Sequence, residues 1–173
     1  FPDAQAEGIH GRAARNAAGR RSIILVAENE RQEAKLIRPR TEGGDDFDAV
    51  WNDDFHHSAV VALTGRKDAY YGDYLGAPQE FISAAKYGFL YQGQTLSWRK
   101  ALRGTATFGT APEAFVCFIE NHDQIANAYQ GRRLGTVAGL ERQKVAAAVL
   151  FSTPALPLLF QGEEYGERRP FQF

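Results

Sequence analysis

Ser22-Ile-Ile-Leu-Val-Ala-Glu-Asn-Glu30 and Phe115-Val-Cys-Phe-Ile-Glu-Asn-His-Asp-Gln124 share one layout, an unbroken apolar run that turns abruptly polar. A run with no polar alternation is what a strand buried on both faces requires. The pattern predicts strands over 22–27 and 115–119. Outward from them, Gln5 to Ala18 is rich in helix formers and Gly19 is a natural C-cap. Arg31 to Arg38 reads as a short helix stopped by Pro39, and Thr41 to Asp48 as an acidic loop containing Gly43-Gly44. Ala49-Val50-Trp51 is a strand that runs into Asn52-Asp53-Asp54, good helix-capping chemistry, and then a helix through His57 to Leu63 that Gly65 ends. Pro78 suits the first turn of a helix over Gln79 to Tyr87. A long helix is expected over Thr136 to Ser152, then a last strand over Pro157 to Phe160.

Helices alternating with strands predict βαβ units, hence an α/β fold with a parallel sheet. After each strand stands a polar cluster: Glu28-Asn29-Glu30, Asn52-Asp53-Asp54, Glu120 to Asp123, and Gln161-Gly162-Glu163-Glu164. In α/β barrels the site is built at the C-terminal strand ends, whereas a doubly wound sheet places it at one switch point. Four such clusters favour the barrel. Four strands are half of one, since a complete barrel typically takes about 250 residues.

The bulk properties narrow the function classes. Of 173 residues, 44% are hydrophobic and 24% charged, with a net charge of -1, so no general electrostatic pull toward nucleic acid or an anionic membrane is expected. The longest apolar runs, Ile23 to Ala27 and Ala146 to Phe151, are too short to span a membrane. Phe1 onward has no signal-peptide layout. The single cysteine, Cys117, excludes an internal disulfide and fits a reducing, cytoplasmic compartment. The chain contains no methionine, starts at Phe1 and stops on Phe171-Gln172-Phe173, so it reads as a piece of something longer.

Glu28 follows directly on an apolar strand. Desolvation at such a rim favours the protonated carboxyl and suits a general acid, although the same residue could simply cap the next turn. Asp123 stands among Asn121, His122 and Gln124, a dense donor and acceptor array that fits a polyhydroxylated ligand, and its charge could stabilise an oxocarbenium-like centre. The bland alternative is a polar surface loop. Trp51-Asn-Asp-Asp-Phe-His-His57 packs two carboxylates, two imidazoles and two aromatics into seven residues, a sugar-binding mixture of stacking faces and polar groups. A metal is the rival there. Adjacent histidines on a helix diverge by about 100°, no H-E-x-x-H or cysteine cluster occurs, and Asp45-Asp46-Phe47-Asp48 lacks calcium-loop spacing. No metal and no cofactor is therefore expected. Of the adjacent Glu163 and Glu164, one is expected to face inward. Arg132-Arg133 reads as a solvated pair, and Tyr70-Tyr71-Gly72-Asp73-Tyr74 as a loop that could add stacking surface. No G-x-S-x-G elbow, G-x-G-x-x-G or P-loop occurs, and Cys117 sits mid-strand.

At these residues the chain resembles the α-amylase family of glycoside hydrolases. Ala27-Glu28-Asn29 resembles the family's general-acid segment on the fifth barrel strand, and Asn121-His122-Asp123-Gln124 the stabilising-aspartate segment after the seventh. Trp51 to His57, Leu63-Thr-Gly65, Tyr70-Tyr71, Leu158 to Gly166 and Pro170-Phe171 narrow the resemblance to the trehalose-releasing branch. It covers residues 22–173.

The resemblance implies the C-terminal half of a (β/α)8 TIM barrel, about strands five to eight. The whole of 1–173 would be a partial catalytic domain. A sugar-binding N-terminal domain, strands one to four and a C-terminal β-domain would lie outside it. It implies Glu28 as proton donor and Asp123 as transition-state stabiliser. Trp51, Asp53, Asp54, Phe55, His56, His57, Asn121, His122, Gln124, Ile125, Ala126, Asn127 and Glu163 would be substrate-binding. The implied reaction is retaining hydrolysis of the α-1,4 bond next to the terminal trehalose of an α-glucan oligosaccharide. No membrane or nucleic-acid partner is implied; the partner is the rest of its own barrel. The family nucleophile is an aspartate in an Arg-x-Asp-Ala segment, which this sequence lacks, so the chain alone is expected to be inactive. Where relatives read Gly-Asn-Arg, this chain has Ala126-Asn127-Ala128. Another amylase or branching activity, or a non-catalytic sugar-binding remnant, are the alternatives.

Overall fold

A computed structural model describes residues 4–172. Its main layer is a four-stranded sheet built from β1 (Val26–Ala27), β2 (Ala49–Trp51), β5 (Phe115–Phe118) and β6 (Leu156–Leu158), all parallel and side by side in that order. Successive strands of this sheet are thus neighbours in space. The sheet is wound in one direction with no switch point, and the chain is a mixed α/β segment.

Helices form the second layer: α1 (Ala4–Ala18) before β1; α2 (Asp53–Thr64) and α3 (Pro78–Tyr87) between β2 and β5; and α4 (His122–Ala126), α5 (Leu134–Ala138) and α6 (Leu140–Phe151) between β5 and β6. Alternate side chains of a strand face opposite sides. Phe115, Cys117 and Ile119 join Val50 and the apolar face of α2 (Phe55, Val60, Val61, Leu63), with Leu134 and Leu150 from the later helices, in one core. Burying a Phe, Leu or Val side chain there contributes about 1.5–3 kcal/mol each.

The register is pinned by capping. Asn52 accepts from the Phe55 amide at 3.3 Å, opening α2, and donates to the Gly88 carbonyl at 2.8 Å. Gly65 closes α2 in the left-handed conformation. A second, two-stranded antiparallel sheet pairs β3 (Gln94–Leu96) with β4 (Ala101–Arg103).

Several sequence expectations need correction. The strand expected over Ser22 to Ala27 is paired only at Val26–Ala27, and Ile24 is 78% exposed. Ser22 to Leu25 stand before the paired residues, and among the described residues β1 pairs with β2 alone. The helix expected over Arg31 to Arg38 is a single 3-10 turn, Ala34–Ile37, because Gln32 is left-handed at φ 59° with its buried amide bonded to the carbonyls of Asn29 and Trp51. The helix expected over Thr136 to Ser152 is two helices broken at Gly139, whose φ of 93° no helix accommodates. The last strand lies at Leu156–Leu158, not Pro157 to Phe160. It holds Pro157, which has no N–H to give to a ladder and stands opposite Cys117 of β5. The polar run after β5 contains α4, and the β3–β4 hairpin was not anticipated.

Candidate active site

Three of the four polar clusters converge on one cavity of about 710 Å³. Glu28 and Glu30 reach it from the end of β1, Asp53 and His57 from the first turns of α2, and His122, Asp123, Gln124 and Asn127 from α4 and its C-cap. The stretch after α2 closes it with Arg66, Tyr70 and Tyr71. Among the described residues, no three His, Cys, Asp or Glu come together as a metal site.

Local chemistry positions each group. Asn121 accepts from the Gln124 amide at 2.7 Å, which starts α4 immediately after β5 and swings Asp123 to the wall. Asn127 donates to the Asp123 carboxylate at 2.7 Å and to its carbonyl at 3.0 Å, holding both ends of that residue. The His122 ring sits edge-on to Trp51, centroids 5.8 Å apart. Arg66 lies over the Tyr71 ring at 4.7 Å and chelates Asp68 at 2.6 and 2.8 Å.

The carboxyl groups differ electrostatically. Glu28 is raised from its ordinary value, chiefly by desolvation, with His122 opposing and the Asp123 charge assisting. Asp53 is pushed up to about 7, first by burial; Arg103 opposes, while Asp54, Glu28 and Glu30 add repulsion. The wall therefore presents carboxyls raised from their ordinary values beside Asp123, a layout suited to giving a proton at one point and stabilising positive charge at another.

Some expected site residues lie elsewhere. Asp54 is fully buried and accepts from the Tyr74 hydroxyl at 2.7 Å, the Leu90 and Tyr91 amides at 3.0 Å and Arg103 Nε at 2.7 Å. Phe55 is in the core, edge-on to Phe81. His56 lies beneath the cavity: its Nδ1 donates to the Ile119 carbonyl at 2.6 Å, it stacks on Phe118, and burial lowers it to about 4, so it is neutral. Ile125 and Asn121 are buried, and Ala126 and Trp51 are half-buried without lining the cavity. Glu163 sits outside it, accepting from the Phe160 amide at 2.7 Å, and is pushed up to about 8 by burial and the nearby Glu120. The helical period explains the split. Asp53 and His57 are four positions apart and share a face, whereas Asp54 and Phe55 turn inward.

Glu30 and Tyr71 line the cavity as members of stretches the sequence had marked, the first polar cluster and the tyrosine loop; Arg66, just past the Gly65 stop of α2, lines it without having been marked.

No protein-family profile matches the chain. The chain is 35% identical over 150 residues to the malto-oligosyltrehalose trehalohydrolase of Saccharolobus solfataricus, covering 87% of this chain and 27% of that protein. It is also 35% identical over 159 residues to the one from a Rhizobium species, covering 90% and 26%. Among solved structures, a Salmonella typhimurium protein described as an alpha-amylase superposes with a TM-score of 0.83 at 45% identity, over 94% of this chain and 28% of that one. A Nostoc punctiforme debranching enzyme, at 17% identity and a TM-score of 0.53, shares the fold.

The chain belongs to the α-amylase family of glycoside hydrolases. Its curated relatives there are the malto-oligosyltrehalose trehalohydrolases, of which it spans about a quarter of the length (27% and 26% for the two above).

Proposed function

We propose that the chain is the second half, strands five to eight, of the (β/α)8 catalytic barrel of a malto-oligosyltrehalose trehalohydrolase, working with the remainder of that barrel in the cytoplasm. In this reading β1, β2, β5 and β6 are those four strands. The substrate is an α-glucan oligosaccharide ending in trehalose, and the bond cut is the α-1,4 linkage next to that trehalose. The observation that carries the reading is the meeting of Glu28 and Asp123 on one cavity wall at the strand ends.

The Glu28 carboxyl, whose protonated form desolvation favours, donates to the glycosidic oxygen as the bond to the anomeric carbon breaks. Asp123 faces the positive charge that develops there. Retaining enzymes need a second carboxylate about 5–5.5 Å from the acid as nucleophile, and we assign it to a part of the enzyme outside these residues. Glu28, now ionised, then takes the proton of the water that releases the product. Asp53, His57, His122, Gln124 and Asn127 supply hydrogen bonds to sugar hydroxyls, while Trp51, His56 and Asn121 hold those groups from behind.

In the longer enzyme, Glu28→Gln should cut trehalose release by orders of magnitude and leave folding intact. Undiminished release would overturn the role of Glu28. The likeness to the Salmonella protein favours a second reading, an amylase acting on plain α-glucan. Product analysis separates the two: trehalose from maltooligosyltrehalose supports the first, and cleavage of plain maltooligosaccharide at equal rate supports the second. The 173 residues alone should show no turnover on either substrate.

A further inference from the structure

The β3–β4 hairpin carries a large aromatic in an exposed place. Trp98 stands on its turn, 46% exposed, with its ring centroid 4.5 Å from that of Tyr70, itself 41% exposed. Tyr70 lines the cavity, so the pair continues the cavity wall outward. Tyr70 is backed by His57, stacked at 6.2 Å and 17°. The Arg99 guanidinium lies 5.5 Å over Tyr70 and 5.4 Å over Trp98, and it is ion-paired to Glu30, another cavity residue.

The turn is anchored. The Trp98 amide donates to the Asp73 carboxylate at 3.2 Å, the Tyr91 hydroxyl donates to the Asp73 carbonyl at 2.6 Å, and Arg103 at the hairpin's end donates to the Glu30 carbonyl at 2.7 Å. An indole left in water on a braced turn, beside a tyrosine and two charged groups, offers what a sugar ring takes: a flat apolar face with polar groups at its edge. Bracing matters because a pre-ordered ring loses little freedom on binding.

We propose that Tyr70 and Trp98 form an aromatic subsite at the mouth of the cavity that stacks a glucosyl unit of an α-1,4-glucan, while Arg99 and Glu30 meet its hydroxyls. This rests on the reading of the cavity as an α-glucan site. A chain short enough to fit inside the cavity does not reach Trp98, so the subsite sets a preference for length.

The test is calorimetric titration of the longer enzyme, carrying Glu28→Gln so that neither sugar is cleaved, with maltoheptaose and with maltotriose. Trp98→Ala should weaken maltoheptaose binding on the order of tenfold, as expected for an aromatic anchor, and leave maltotriose within twofold. Trp98→Phe, which keeps a ring on the turn, should recover most of the loss, and helical circular dichroism should be unchanged in both variants. Maltoheptaose affinity that Trp98→Ala leaves within twofold overturns the subsite alone. Equal losses for both sugars overturn it as well, since the ring would then be acting on the cavity's shape. Absence of binding by the longer enzyme that keeps Trp98 overturns the subsite together with the glucan reading.

Discussion

Arg103 on the hairpin donates from Nε to a carboxylate oxygen of Asp54 at 2.7 Å, and both side chains are almost completely buried. Asp54 also takes three further donors, from Tyr74, Leu90 and Tyr91. The two partners are therefore unequal. Asp54→Ala leaves the Arg103 cation with the Glu30 carbonyl but without the carboxylate it is bonded to, a loss of about 3–5 kcal/mol for an uncompensated buried charge. Arg103→Met leaves Asp54 with those three donors and costs less. Urea unfolding of the two variants checks the order; an equal or reversed order would contradict it.

Asp53 gives a coupled prediction. Its midpoint of about 7 rests partly on the Glu28 charge. Removing that charge by Glu28→Gln should shift the Asp53 titration downward, as followed by carboxyl carbon NMR. An unmoved midpoint would mean that the two carboxyls do not share the cavity.

Glu163 sets a pH dependence of stability. Its carboxyl is pushed up to about 8 from an ordinary 4.5, first by burial. The folded state therefore favours the protonated form. The stability this contributes is fully present below about 4.5 and is lost as pH rises through about 8. Glu163→Gln, which stays neutral, should flatten the fall in thermal midpoint between those values and make the protein more stable than the parent above pH 8. A parent and variant that fall in parallel would remove Glu163 as the cause.

Much of the architecture was legible because it rests on local rules. Ala49–Trp51, the Asn52 cap, the Gly65 stop and the Pro78 start each act within a few residues, and the structure has them where the sequence puts them. The convergence of the clusters at Glu28, Asp53 and Asp123 was readable from strand ends alone. What escaped depends on distant partners. Ile24 is exposed and stands outside the two paired residues of β1, which no local pattern reports. Phe55 and Asp54 look like binding residues by type and turn inward by helical phase. The hairpin was missed because Gln94–Leu96 and Ala101–Arg103 have neither an apolar run nor a strong turn dipeptide. Arg103 shows its purpose only once Asp54, 49 positions earlier, is beside it.

The bonds that tie the hairpin region to residues 30–38 also have a kinetic meaning. Ala34 to Thr105, Arg38 to Ala106 and Arg103 to Glu30 join residues 71, 68 and 73 positions apart. Contacts of that span must repay the entropy of closing a long loop before they stabilise anything, so they are expected to form late, after α2 and its neighbouring strands have condensed. The mouth of the cavity is then completed among the last steps of folding. A sugar that needs the finished mouth would bind the folded chain and no partly folded form, and its arrival would mark the end of folding.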